Sequence, residues 1–87
     1  MTRQDVFEKI EAERAYQDVK WGTAFDSRNT PNDWVAYISK YLGQAVTMPF
    51  DPGAFRTQLL KVATLATAAL EQESYAPRHY DNSERVG

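Results

Sequence analysis

The fold is decided by two consecutive segments, residues 30–47 (TPNDWVAYISKYLGQAVT) and residues 51–74 (DPGAFRTQLLKVATLATAALEQES). Each opens with a residue that caps helix N-termini, a threonine or an aspartate, and a proline follows at the first helical position. Apolar residues then recur at helical spacing through both segments. The pattern predicts two helices, over residues 31–47 and 52–74, joined by a tight turn.

A further helix is predicted upstream, over residues 2–21, with Thr2 as its cap and Gly22 at its end. At about 100° per residue one stripe of this helix collects six side chains. They are Val6, Phe7, Ile10, Arg14, Gln17 and Trp21. The stripe begins apolar and ends polar, and polar groups on a core face need partners. Residues 23–29 are predicted to form a loop.

The apolar positions of the two later helices predict which faces are buried. On the middle helix they are Trp34, Val35, Ile38, Tyr41, Leu42, Ala45 and Val46. On the last helix they are Phe55, Leu59, Val62, Ala63, Ala66, Ala69 and Leu70. The run ATLATAA in the last helix is almost all small, so it predicts close helix packing, including packing against a second subunit. We therefore expect an all-α bundle of three main helices that is completed by homo-oligomerisation.

Composition limits the class of protein. The chain has 87 residues, no cysteine and a net charge of −2, so we expect a single helical domain over residues 1–74 and a polar tail over residues 75–87. The absence of excess positive charge argues against duplex DNA as a partner. No apolar run reaches the roughly 18 residues of a membrane span, and we expect a cytoplasmic protein without a membrane partner.

The segment ERAYQDVKWG, residues 13–22, is the densest group of chemically useful side chains. Arg14 and Lys20 are suited to phosphate oxygens, and Gln17 can both donate to and accept from a base edge. Trp21, at a helix end, could stack a nucleobase. The alternative is structural, with Arg14 bonded to a helix C-terminus and Trp21 in the core.

A second polar stripe runs along the middle helix through Asp33, Tyr37, Lys40 and Gln44, and it could face Gln58 and Lys61 of the last helix. Two lysines converging on one cavity would make an anion site, with Tyr37 and Tyr41 lining a base-sized pocket. The alternative is a solvated helix face. Nothing predicts covalent catalysis, because cysteine is absent and the only histidine lies in the tail.

Three blocks in order, ERAYQDVKWG, NTPNDWVAYISKYLGQA and LLKVATLATAALE, resemble the small phage and bacterial MazG-like proteins. The resemblance covers roughly residues 8–72. It implies an all-α nucleotide pyrophosphohydrolase superfamily whose members form helical dimers or tetramers. It also implies magnesium-dependent hydrolysis of nucleoside triphosphates to monophosphate and pyrophosphate.

The sequence departs from that family at its metal site. The family's EExxE pattern aligns with Lys40, Tyr41 and Gln44, and its ExxD pattern aligns with Gln58 and Lys61. None of the five is acidic, and two ammonium groups would repel the magnesium ion that carboxylates normally hold. The hypothesis that follows is a protein without catalytic residues, metal or cofactor, which binds a nucleotide or cyclic nucleotide without cleaving it.

Such a protein could sequester a nucleotide signal, and a phage setting would make this a counter-defence function. Its binding residues would be Arg14, Gln17, Lys20, Trp21, Tyr37, Lys40, Tyr41, Gln44, Gln58 and Lys61. Two alternatives stay open. One is a magnesium-dependent hydrolase built from Glu13, Asp18 and Asp33, and the other is a helical oligomer that binds a protein partner.

Overall fold

The computed structural model describes residues 1–22 and 28–77, and all regular structure within these ranges is helical. The helices are α1 (Arg3–Trp21), α2 (Pro31–Thr47) and α3 (Pro52–Glu71). The predicted all-α fold with three main helices is confirmed for this part of the chain. Most of the predicted loop, residues 23–27, and the end of the predicted tail, residues 78–87 with the histidine, lie outside the described residues.

Helices α1 and α2 begin with the same reciprocal pair of hydrogen bonds. The Thr2 hydroxyl accepts from the Asp5 N–H at 3.1 Å, and the Asp5 carboxylate accepts from the Thr2 N–H at 3.0 Å. At α2 the corresponding bonds join Thr30 and Asp33 at 3.1 and 2.9 Å. Each pair satisfies amides that the first helical turn would leave unbonded. The helix starts are thus set locally, by residues three apart.

Helix α3 ends at Glu71, three residues before the predicted end, so that boundary was wrong. The Gln72 side chain donates to the carbonyl of Ala68 at 2.9 Å, and the Tyr75 hydroxyl donates to the carbonyl of Ala69. Those two carbonyls are the ones that the next backbone amides of a longer helix would use. Side chains beyond the helix therefore replace its last turn.

Helix α3 is the centre of the arrangement. Helix α2 packs on it as the neighbour across the short connection 48–51, and α1 packs on it from another side, while α1 and α2 contact each other little. Arg14 of α1 pairs with Glu71 at the end of α3, and the later residue Trp21 lines a cavity with Lys61 of α3. Helix α1 therefore runs antiparallel to α3, and its first turns extend past the end of α3. Phe7 in this extension is 57% exposed.

The buried interior is small and differs from the predicted one. Only Trp34 and Ala68 are buried apolar side chains among the described residues, and Thr64 is fully buried beside them. Thr64 and Ala68 lie on the side of α3 opposite to Leu59, Ala66 and Leu70, the face predicted to be the core. Leu70 is 83% exposed. The side of α3 that is buried most fully is therefore opposite to the predicted core face, on which Val62, Ala63, Ala66 and Ala69 are only half-buried.

The predicted apolar face of α2 is only half buried. Trp34 is 4% exposed, whereas Val35, Leu42 and Val46 are 60%, 49% and 79% exposed. On α1, Trp21 is likewise half exposed rather than in the core. No helix among the described residues has the length and apolar content needed to cross a membrane.

Candidate functional site

A cavity of about 430 Å³ lies between α1 and α2, with α3 as its floor. The volume is within the range of about 300–1,000 Å³ that small-molecule sites occupy. Its lining comes from the second half of α1, the first two thirds of α2 and the middle of α3. The lining residues are Glu13, Tyr16, Gln17, Lys20, Trp21, Trp34, Tyr37, Lys40, Tyr41, Lys61 and Leu65. The cavity thus lies where α1 and α2 both pack on α3 and contact each other little.

Each lysine of the lining lies against an aromatic ring of the lining. The Lys20 ammonium is 4.9 Å from the centre of the Trp21 ring and 5.8 Å from that of Tyr16. The ammonium groups of Lys40 and Lys61 lie 5.5 and 5.1 Å from the centre of the Tyr41 ring. Such contacts are favourable by about 0.5–1 kcal/mol when exposed. The rings thus hold three positive charges around one cavity.

Arg14 does not line the cavity and is instead paired with two acidic side chains. Its side chain is 9% exposed and forms a two-pronged ion pair with Glu71, with N···O distances of 2.9 and 3.3 Å. A third bond, at 3.3 Å, goes to Asp18. The hydrogen bond from Arg14 holds the pKa of the Glu71 carboxyl below its ordinary value. Arg14 thus binds the side-chain carboxylate of the last residue of α3, whereas the structural alternative had placed it on a helix C-terminus.

Gln17 connects this ion-pair group to the cavity. Its side-chain oxygen accepts a hydrogen bond from Arg14 Nη1 at 3.1 Å, and the residue also lines the cavity. A guanidinium has only donors, so the oxygen of the amide must face Arg14. The orientation of the Gln17 amide is consequently determined, and its NH₂ group is left for other partners.

Three buried polar atoms have no hydrogen-bond partner within residues 1–22 and 28–77: Trp34 Nε1, Asn29 Nδ2 and Gln58 Oε1. Trp34 belongs to the cavity lining, and Tyr37, also in the lining, donates to Asn29 Oδ1 at 3.3 Å. Asn29 in turn accepts from the Ala76 amide, which fastens the start of the tail across the end of the α1–α2 connection. Of the three atoms, Trp34 Nε1 is the one that belongs to a lining residue, and a ligand acceptor atom that reached it would satisfy it.

Seven of the residues proposed from the sequence line this cavity. They are Gln17, Lys20, Trp21, Tyr37, Lys40, Tyr41 and Lys61. Arg14, Gln44 and Gln58 do not line it: Arg14 is bonded to Glu71, Gln44 is exposed, and Gln58 is half-buried outside the lining. At about 100° per residue Gln44 shares the face of α2 that carries Tyr37 and Lys40, and Gln58 shares the face of α3 that carries Leu65. Their positions further along the helices, and not their faces, leave them outside the lining.

Four lining residues were not among the proposed ligand-binding residues: Glu13, Tyr16, Trp34 and Leu65, of which Glu13 was proposed only as an acid of the alternative hydrolase. A signal for two of them was present in the sequence, since Glu13 lies four residues before Gln17 and Tyr16 four residues before Lys20. Trp34 was assigned to the core, and it is both buried and part of the lining. Leu65 carries no signal apart from its place on α3.

The acids proposed for a hydrolase lie apart. Asp18 is bonded to Arg14, and Asp33 is bonded to Thr30 at the start of α2, whereas Glu13 lines the cavity. Among the described residues no group of three or more histidine, cysteine or acidic side chains is placed to hold a metal ion.

Comparison with known proteins finds no match: no family model, no curated protein and no solved structure is similar to this chain at a significant level.

Proposed function

We propose that this chain binds a nucleotide or cyclic nucleotide in the cavity between α1 and α2 and releases it unchanged. The observation that carries the proposal is the lining itself, in which three lysines alternate with aromatic rings. Ammonium groups bind phosphate oxygens as point charges, and aromatic faces stack nucleobases. A nucleotide is the small molecule that offers both an anion and a planar ring.

The two halves of the ligand are assigned to different walls. Lys40 and Lys61 lie against the same tyrosine ring and concentrate positive charge between α2 and α3, so the phosphate is proposed to bind there. Trp21 and Tyr16, on α1, are proposed to contact the base. In the free protein Lys20 lies against both α1 rings, and a phosphate would draw it away and open a ring face.

Binding without hydrolysis is proposed because of the charge of the lining. Among the described residues, three lysines and one acid, Glu13, line the cavity. Magnesium-dependent hydrolysis of a nucleoside triphosphate needs carboxylates that hold the cation beside the phosphates. Ammonium groups in that place oppose cation binding and neutralise phosphate themselves. Cytoplasmic sequestration of a nucleotide signal, including a phage counter-defence role, is the biological use that we propose for such binding.

Isothermal titration with a panel of mononucleotides, triphosphates and cyclic nucleotides, with and without magnesium, tests the proposal. We expect binding that does not require magnesium, and recovery of the ligand intact. Release of pyrophosphate that depends on magnesium would favour the hydrolase instead. Absence of binding to every nucleotide would leave a protein partner as the remaining function.

A matched pair of variants tests the role of the lysines. Lys61→Glu reverses a charge in the cavity lining, whereas Lys9→Glu reverses a charge on the exposed first half of α1. We expect Lys61→Glu to abolish nucleotide binding and Lys9→Glu to leave it unchanged. Equal affinities of the two variants would show that the lining lysines do not hold phosphate.

We also propose that the chain forms homo-oligomers, because its own core is too small. Only two apolar side chains are buried in the described residues, and small domains with little core usually need association or covalent links. The apolar residues left exposed on α2 and α3 include Val35, Leu42, Val46, Phe55, Leu59 and Leu70. They lie away from the cavity, so association through them would leave it open.

A further inference from the structure

We propose that the cavity selects guanine, with Glu13 and Gln17 reading the edge of the base. The proposal rests on the nucleotide binding proposed above and names the base that such binding would favour. It depends on two side chains of the α1 wall, one that presents only acceptors and one whose donors are turned away from Arg14. Both residues line the cavity.

The donor side of this pair is Gln17. Arg14 occupies the side-chain oxygen of Gln17 at 3.1 Å, and Arg14 is itself held by Glu71 at 2.9 and 3.3 Å. Because a guanidinium cannot accept, the amide cannot turn over without losing that bond. Gln17 therefore offers its NH₂ group, which suits a carbonyl oxygen of a ligand. Arg14 acts as a positioning residue that needs no contact with the ligand.

The acceptor side is Glu13, one helical turn before Gln17. Its carboxylate has no hydrogen bond or ion pair with any residue in the described ranges, although it is partly buried in the lining. Residues four apart on a helix lie side by side, with Cβ atoms about 5–6 Å apart. One wall of the cavity thus presents a carboxylate and an amide NH₂ next to each other.

Guanine is the base whose edge matches a carboxylate that lies next to an amide NH₂ group. Its O6 accepts, and the adjacent N1–H and N2–H₂ groups both donate, so a carboxylate can take two parallel hydrogen bonds. Adenine and cytosine offer the carboxylate one donor group only. Uracil places an acceptor, O2, opposite the second carboxylate oxygen. Trp21 lies one further turn along the same stripe, where a ring face can pack on the base.

The charge of Glu13 also argues for a base rather than a phosphate at this wall. The lysine pair near Tyr41 is placed to attract the anionic end of a nucleotide, and a carboxylate repels it. A nucleotide is therefore oriented with its phosphate towards α2 and α3 and its base towards α1.

The test is isothermal titration of the full chain with GMP, IMP and AMP. IMP lacks only the 2-amino group of GMP, so we expect IMP to bind about tenfold more weakly, which is within the effect of losing one charge-assisted hydrogen bond. Glu13→Gln removes one acceptor oxygen and should bring GMP and IMP to within about threefold of each other. Glu11→Gln, on the exposed side of α1, should keep the wild-type difference.

The outcomes separate the two proposals. If no nucleotide binds to the wild-type chain, the nucleotide-binding function itself is lost. If nucleotides bind but GMP and IMP have equal affinity, guanine selection is wrong and nucleotide binding stands. A tenfold difference that persists in Glu13→Gln would also overturn the assignment. The comparison of GMP with IMP uses the unmodified protein, so it holds even if a variant folds poorly.

Discussion

Arg14 and Glu71, 57 positions apart in the chain, form a two-pronged ion pair with N···O distances of 2.9 and 3.3 Å. The contact joins the second half of α1 to the last residue of α3. The side-chain oxygen of Gln17 accepts a hydrogen bond from the same guanidinium. The ion pair therefore ties α1 to α3 beside the cavity. It also holds the guanidinium that determines which way the Gln17 amide points.

The first prediction concerns the strength of this pair. Glu71→Gln should lower the free energy of unfolding by about 1 kcal/mol, because Glu71 is half exposed and solvent screens part of the attraction. Urea denaturation measures the change. Glu73→Gln, an exposed acid just past the helix, is the matched control and should shift stability by less than about 0.5 kcal/mol. Equal shifts would mean that the ion pair contributes nothing measurable.

The second prediction is the dependence of stability on pH. The pKa of Glu71 lies below its ordinary value of 4.5, chiefly because of the hydrogen bond from Arg14. A carboxyl with a lowered folded pKa stabilises the fold above its unfolded pKa, and this contribution disappears as the pH falls through the folded pKa. The stability difference between wild type and Glu71→Gln should therefore be full at pH 6 and shrink below about pH 4.5. A difference that stays constant down to pH 3 would contradict this account.

The third prediction compares two equivalent caps. Thr2 and Thr30 make the same hydrogen bonds at the starts of α1 and α2. The start of α1 extends beyond α3 and can fray without loss of packing, whereas the start of α2 lies next to the buried Trp34. Thr30→Ala should thus cost about 1 kcal/mol of unfolding free energy, and Thr2→Ala clearly less. Thermal or urea unfolding of both variants measures the difference.

The fourth prediction concerns the lysine that covers the rings of α1. Lys20→Met removes a phosphate-binding charge and also the cation that lies against Trp21. We expect weaker binding of GMP but about two- to fivefold tighter binding of guanosine, because the base no longer competes with an ammonium for the ring. Titration with the nucleotide and the nucleoside distinguishes the two effects. Losses of equal size for both ligands would show that Lys20 does not cover the stacking surface.

The fifth prediction locates the self-association surface. Val46→Glu places a charge on the exposed apolar face of α2, and Val19→Glu places one on α1, where the valine is 90% exposed. Light scattering should show the first variant shifted towards the single-chain mass of 9.9 kDa and the second unchanged. A wild-type chain that is already monomeric at micromolar concentration would rule out the association.

The sequence alone was sufficient for the helices and their starts. Thr2, Thr30 and Asp51 each accept from the amide three residues further on, so their effect depends on neighbours in the chain and on no distant contact. Spacing along one helix likewise grouped Tyr37 with Lys40 on one face, but it could not show that Lys20 and Lys61, on other helices, line the same cavity.

Tertiary structure decided the rest, because it sets how far each helix is rotated and how the helices align. Burial of Thr64 and Ala68 in place of Leu59 and Leu70 follows from the side of α3 that its neighbours cover. The end of α3 at Glu71 follows from side chains that fold back on its carbonyls. The pairing of Arg14 with Glu71, and with it the fixed amide of Gln17, joins residues whose distance along the chain gives no indication that they meet.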